Sequence, residues 1–416
     1  MNKTKEPMLA PYRVLDLTNE WGVLCGRLLA DIGADVIKIE PPGGDSVRRI
    51  GPFYHDIPDP RNSLFWFFYN ANKRGITLDI ETADGRDIFK RMVEKADFVI
   101  ESFSPGYLDG IGLGYPVLSE INPRVILTSI TPFGQTGPYS RYNSSDIVNL
   151  ALCGWMYKCG DEDRAPLKTG FHQAYFHAGA QAAAGTLMAH YHREMTGEGQ
   201  QVDASPLPWM TFFAQGAIRW YFTGKSESRH GQLWEWSSRP LIRYVWDCKD
   251  GAICFAVMGG ARFGPAQKAV VEWLDSEGMA PDYLKEINWE ELDYGSISQE
   301  TRDNFEKPVA DFFRSKTKAE IFGEAIERGI TMFPANTVRE IFEDPQLQSR
   351  DYWIEVDHPE LETKITYPGA YYKSSGTAWR MTRRAPLVGE HNLQFYVDEM
   401  GLSREELIIL KQNNII

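Results

Sequence analysis

At 416 residues the chain exceeds the roughly 250–300 residues at which a single core stops growing, so two domains are expected. A composition of 43% apolar and 24% charged residues allows a sizeable core, and a net charge of −13 argues against a nucleic-acid surface. The five scattered cysteines, Cys25, Cys153, Cys159, Cys248 and Cys254, suit a reducing cytosol, and Cys153 and Cys159 lack the close pairing of a zinc site. The first residues have no apolar run for a signal peptide, and no run reaches the roughly 18 residues of a membrane span. The expectation is a cytoplasmic protein with no nucleic-acid or membrane partner.

Tyr12–Thr18 reads as a buried strand, Glu20–Ile32 as a helix with Leu24, Leu28, Leu29 and Ile32 on one face, and Gly33–Glu40 as a second strand. The pattern resumes after Asn72–Asp79 with a helix over Glu81–Lys95, a strand at Asp97–Glu101, a short helix at Pro116–Ile121 and a strand at Arg124–Ile130. Strands and helices alternating at this length predict an α/β fold with a mostly parallel, doubly wound sheet. The loop after the first strand, Asn19-Glu-Trp-Gly-Val-Leu24, lacks GxGxxG, and no GxxxxGK[ST] loop occurs. A plain nicotinamide or nucleoside-triphosphate enzyme is therefore not expected.

Leu167–Ser205 opens as a loop around Gly170, becomes a helix of small residues, and turns at Thr196–Gln200 into a strand from Gln201. Ala178, Gly179, Ala180, Ala182, Ala183, Ala184 and Gly185 leave two turns almost without side chains. Glycine inside a helix costs about 1 kcal/mol against alanine, so close approach of another backbone or of a flat ligand should offset it. Chemistry is expected at the electropositive start of this helix. Further on, Leu207–Thr223 reads as helical and Gly224–Gly231 as a linker. Leu241–Asp247 and Ala252–Met258 read as a hairpin through Cys248–Gly251, and Gly329–Pro334 as the return to the first domain.

Several motifs occur in a fixed order: Val14-Leu-Asp-Leu-Thr18, Gly33-Ala-Asp-Val-Ile-Lys-Ile-Glu-Pro-Pro-Gly-Gly-Asp45, Asn72-Lys-Arg74 with Leu78-Asp79, and Glu101-Ser-Phe-Ser-Pro-Gly106. Asn122-Pro-Arg-Val-Ile126, Phe133-Gly-Gln-Thr-Gly-Pro138, His192–Gln200, Asp344-Pro-Gln-Leu347 and Arg384–His391 follow. Across essentially the whole chain this order resembles the class III CoA-transferase family, the formyl-CoA and carnitine CoA-transferase group that includes α-methylacyl-CoA racemases. The resemblance implies a large domain from both chain ends (residues 1–224 and 330–416), a smaller α+β domain (225–329), and a dimer of interlocked rings. It also implies a coenzyme A thioester as substrate, with no covalently bound cofactor and no metal.

In the family's transferases an aspartate attacks the acyl-CoA thioester, giving a mixed anhydride and then an aspartyl-CoA thioester. Counting from Gly179 and Arg193 puts Tyr175 at that position. A phenol with a pKa near 10 cannot replace it. The conclusion does not hang on register, because Phe171–Gly185 contains no Asp or Glu. The nearest carboxylates along the chain are Asp161, Glu162 and Asp163, in what reads as a solvated turn. The racemase branch also needs a histidine where this chain has Ser145, before Asp146. His172 and His177 flank the vacant position, either as new bases or as neutral rings packed on Tyr175 and Phe176.

The resemblance assigns coenzyme A contacts to Trp21, Gly22, Leu78, Ser102, Phe103 and Asp146, and to Gly259 and Gly260 as a loop over a partner's site; the latter pair also reads as a simple turn. Departures stand beside these: bulky Trp21, Pro42 where a basic residue is usual, and Gly110 in place of an arginine. Lys73, Arg74 and Arg141 are candidates to compensate, or ordinary surface cations. The leading expectation is the nucleophile-lacking subunit of a heteromer with a related Asp-bearing chain. That heteromer would move CoA between an acyl-CoA such as succinyl-CoA and an acid such as benzylsuccinate. The tryptophans Trp21, Trp155, Trp209, Trp220, Trp234 and Trp236 would suit a phenyl group or fill cores. The alternatives are a homodimeric racemase- or lyase-like enzyme using His172, His177 or Tyr175, and a catalytically silent scaffold.

Overall fold

Strands β1 (Arg13–Leu17), β2 (Asp35–Glu40), β3 (Arg74–Thr77), β4 (Phe98–Glu101), β5 (Ile126–Ile130) and β6 (Gln201–Ala204) form one sheet in the order β3-β2-β1-β4-β5-β6, every pair parallel. The first five are near-continuous runs of buried side chains, as a sheet covered on both faces requires. In this computed structural model the described residues are 6–214, 216–225, 228–235 and 241–416. They form two compact units: Met1–Trp155 with Thr169–Gln215 and Gln346–Ile416, and Met156–Lys168 with Gly216–Pro345.

On one face of the sheet the helix Ala83–Val93 buries Ile88, Phe89, Met92 and Val93 against Leu15, Ile37, Ile76, Val99 and Leu127. Residues from the far end of the sequence, Phe395, Tyr396, Ile415 and Ile416, complete that core. A helix over Leu64–Asn70, capped by the Ser63 hydroxyl accepting from Trp66 N–H, escaped the sequence reading. Its run Leu-Phe-Trp-Phe-Phe-Tyr is apolar on every side, which erases helical periodicity.

The small-residue helix, Gln173–Thr196, buries Ala174, Ala178, Gly179, Ala182, Ala183, Thr186, Ala189 and Arg193 along one stripe. It packs on α1 (Val23–Asp31) and on β5 and β6. A β-carbon at Gly179 would lie 2.7 Å from Leu24 Cβ and 3.1 Å from the Cys25 nitrogen, so the close approach is to the α1 backbone. At Gly185 the added carbon would meet only Val202 Cγ1, at 3.0 Å. Thr186 Oγ1 lies 2.7 Å from Thr128 Oγ1, and fully buried Arg193 donates to the Asp97 and Arg124 carbonyls, fastening the helix to the sheet.

In the smaller unit two expectations change. The segment Leu241–Asp247 is two strands: Leu241–Arg243 pairs antiparallel with Leu233–Glu235, and Val245–Cys248 with Gly251–Cys254. Phe333–Pro334 adds to the second of these as an antiparallel neighbour, so the chain leaves this unit later than Gly329–Pro334. Its core gathers Trp246, Trp273, Phe312 and Phe313. The helical run Leu207–Thr223 is two helices, Pro206–Ala214 and Gly216–Thr223. Part of the linker (residues 226 and 227) and Trp236 lie outside the described residues. Among the described residues no helix is long and apolar enough to cross a membrane.

Glu101, at the end of β4, is buried and its carboxyl is pushed up to about 7 by desolvation, despite accepting from Phe103 N–H at 2.7 Å. Between the ordinary 4.5 and about 7 the folded chain therefore keeps a proton that the unfolded chain has lost. Stability contributed by this group falls as pH rises through that window and is level above it. Denaturant midpoints of wild type and Glu101→Gln, compared at about pH 5 and about pH 7.5, should differ by a slope present only in the wild type. Gly179→Val should lower unfolding stability by about 1–3 kcal/mol through overpacking, while Gly185→Ala stays within about 1 kcal/mol of wild type, both read from urea titrations.

Candidate functional site

The chain winds outward from β1 to β3 on one side and from β4 to β6 on the other, so the loops after β1 and β4 diverge at the carboxyl edge. A cavity of about 620 Å³ opens there, walled by Asn19, Asp45, Arg49, Leu78, Ser102 and Phe103. Ile39 and Ile80 add apolar surface, Tyr107 stacks on Phe103 with ring centres 4.6 Å apart, and Asn414 arrives from the far end of the sequence. Asn19 N–H donates to Ser102 Oγ and Ser102 Oγ–H donates to Asn19 Oδ1, both at 2.7 Å, which joins the two diverging loops.

Of the expected coenzyme A contacts, this cavity brings together Leu78, Ser102 and Phe103. Asn19 belongs to the loop after the first strand to which the resemblance assigns coenzyme A contacts, whereas Arg49 and Tyr107 escaped the sequence reading. The expected compensating cations do not line it. Lys73 is fully buried and donates to Asp16, the Val23 carbonyl and Asn70; Arg74 is paired with Asp35 and Glu399. Both hold the fold together, and Arg141 is an exposed surface residue. Arg49 is the one Lys or Arg among the described lining residues, which also include the carboxylates Asp45, Asp79 and Glu81.

Trp21, Asp146 and Tyr175 form a second cluster at the head of the small-residue helix. Trp21 meets the Tyr175 ring edge-on at 4.6 Å and His172 stacks on it at 5.2 Å. Asp146 Oδ1 accepts from Ala174 N–H at 2.7 Å, a carboxylate at the positive end of the helix. Gly22 lets the Trp21 loop lie against the sheet: a β-carbon there would be 2.5 Å from Thr18 Cγ2 and 2.9 Å from Ile130 Cδ1. Ser145 precedes the helix Asp146–Leu152 without capping it through its side chain.

Burial, and after it the nearby carboxylates of Glu20 and Asp146, raises the Tyr175 phenol above its ordinary value, so it stays protonated at neutral pH. Glu20 and Asp146 are the carboxylates acting on Tyr175. His177 packs against Trp155 at 5.6 Å and burial lowers its pKa, leaving it neutral. His172 Nδ1 is 3.8 Å from Asp146 Oδ2, beyond hydrogen-bond distance.

Gly259 and Gly260 belong to the smaller unit, where Gly260 N–H donates to the Trp289 carbonyl at 2.8 Å. Of the tryptophans singled out by the sequence, Trp21 is buried, while Trp209 and Trp220 are exposed.

Residues 9–392 match CoA-transferase family III. The chain is 35% identical to the succinyl-CoA:(R)-benzylsuccinate CoA-transferase subunit BbsE of Thauera aromatica, over 93% of each chain. It is 32% identical to a succinyl-CoA:mesaconate CoA-transferase of Haloarcula hispanica, over 95% of this chain and 96% of that one. Among solved structures, a CaiB/BaiF family protein from Brucella suis superposes with a TM-score of 0.79 at 26% identity, covering 95% of this chain and all of that one. The chain belongs to CoA-transferase family III, whose substrates are coenzyme A thioesters.

Proposed function

We propose that this chain is the non-catalytic subunit of a heteromeric CoA-transferase, with the nucleophilic aspartate supplied by a related partner chain. The observation that carries the reading is Tyr175 at the head of the helix, protonated and packed between Trp21 and His172, in a stretch without Asp or Glu. A phenol cannot form the acyl anhydride that a carboxylate forms. The similarity to BbsE, which is itself named as a subunit, supports a subunit role and favours succinyl-CoA as donor with benzylsuccinate or a similar acid as acceptor. An interlocked dimer would let one chain keep the fold and the subunit contacts while its partner performs the acyl transfer.

The cavity at the carboxyl edge suits the nucleotide end of coenzyme A. Phe103 and Tyr107 offer a stacking surface for adenine, Ile39, Leu78 and Ile80 an apolar wall, and Arg49 a cation for phosphate. Trp21, Gly22 and Asp146 lie at the helix head instead, toward the acyl end, with Gly259 and Gly260 as a cover over the partner's site. The proximity of His172 to Asp146 favours a second reading, a histidine base in a homodimeric racemase- or lyase-like enzyme.

Purified alone, the chain should transfer no CoA from succinyl-CoA to aromatic acids, and activity should appear on co-expression with a related Asp-bearing chain. Hydroxylamine trapping followed by intact mass should place all label on that partner; label on this chain would sink the reading. Turnover by the lone chain that disappears in His172→Ala would instead establish the second reading. Phe103→Ala should weaken coenzyme A binding by about tenfold, measured by calorimetry, since base stacking contributes about 1–3 kcal/mol.

A further inference from the structure

We infer that Lys38 is a positioning residue, a cross-tie that holds the loops after β1 and β2 in the arrangement that forms the cavity. Lys38 lies on β2 and is fully buried. Its ammonium donates to the Thr18 carbonyl, at the start of the loop after β1, and lies 3.0 Å from Asp45 Oδ2 in the loop after β2. Asp16 Oδ1, 3.9 Å away, is its third neighbour. An ammonium has three donors and no freedom to hydrate in a dry interior, so these oxygens set its place and it sets theirs.

Each tied loop contributes to the cavity through the residue beside the tie. Thr18 is followed by Asn19, whose side chain and N–H engage Ser102 on the opposite wall. Asp45 lines the cavity itself and, by accepting from Val47 N–H at 2.9 Å, caps the turn Ser46–Arg49 that carries Arg49. One buried cation thus links the loop that meets Ser102 to the turn that presents Arg49. Lys73 sits in the same charge cluster but bonds Asp16, the Val23 carbonyl and Asn70, none of which lines the cavity.

The affinity part of this inference rests on the cavity being the coenzyme A nucleotide site; the cross-tie itself does not. The test compares Lys38→Met and Asp45→Asn with Asp35→Asn, which breaks the ion pairs to Arg13 and Arg74 at the opposite end of the same strand. Amide exchange by mass spectrometry should rise in both segments, 18–22 and 43–47, for the first two variants and in neither for the third. Coenzyme A binding by calorimetry should weaken by about tenfold or more for the first two alone, a loss of about 1.4 kcal/mol. Faster exchange confined to the loop after β2, or an affinity loss no greater than that of Asp35→Asn, overturns the inference. If Lys38→Met does not fold, Asp45→Asn decides both measurements. A wild-type chain that binds no coenzyme A refutes the assignment of the cavity, while exchange still decides the cross-tie.

Discussion

Three charges that water cannot reach, on Asp16, Lys38 and Lys73, sit beneath the carboxyl edge of the sheet, and the geometry above depends on them. Removing ions from water is costly, and the cost is recovered only where each has close partners in good geometry. Lysines from β2 and from just before β3 both turn toward Asp16 on β1, whose carboxyl is held below its ordinary value by Lys73 and Lys38 against the opposing effect of burial. Because each ion's position is set by the others, the three adjacent strands are joined by more than their backbone ladder. The loops that leave those strands inherit that precision.

The small-residue helix is seated by its flank rather than by its end. Its stripe of alanine and glycine is a packing device: it brings the helix onto α1 and onto β5 and β6, with Thr186 and Arg193 as polar fasteners. None of those contacts involves the residue at the head of the helix. Tyr175 at the head is held separately, its aromatic ring accommodated by Trp21 and His172. The packing of the helix and the environment of its head are separable, because different faces and ends of one helix serve them.

Much of the larger unit was legible in the residues, because parallel strands flanked by helices leave local signatures such as apolar runs of about five residues and helical spacing. The boundaries of β1, β2, β4 and β5 lie within two residues or so of the expected runs. The helix Leu64–Asn70 was lost for the same reason that others were found, since an apolar run without a polar face has no period. In the candidate site, Leu78, Ser102 and Phe103 were identified through a resemblance in their motifs, whereas Arg49 carried no such mark.

The sequence by itself determined that no carboxylate lies between Phe171 and Gly185, and that strands alternate with helices; both depend only on neighbours along the chain. The tertiary structure decided which cations are available to a ligand. Lys73 meets Asp16 across 57 residues, and Arg74 meets Asp35 across 39 and Glu399 across 325. The same long-range closure brings Asn414 to the cavity and sets Glu20 and Asp146 around Tyr175. Burial and ion pairing are properties of the assembled sheet, because they depend on partners that only the strand order brings together.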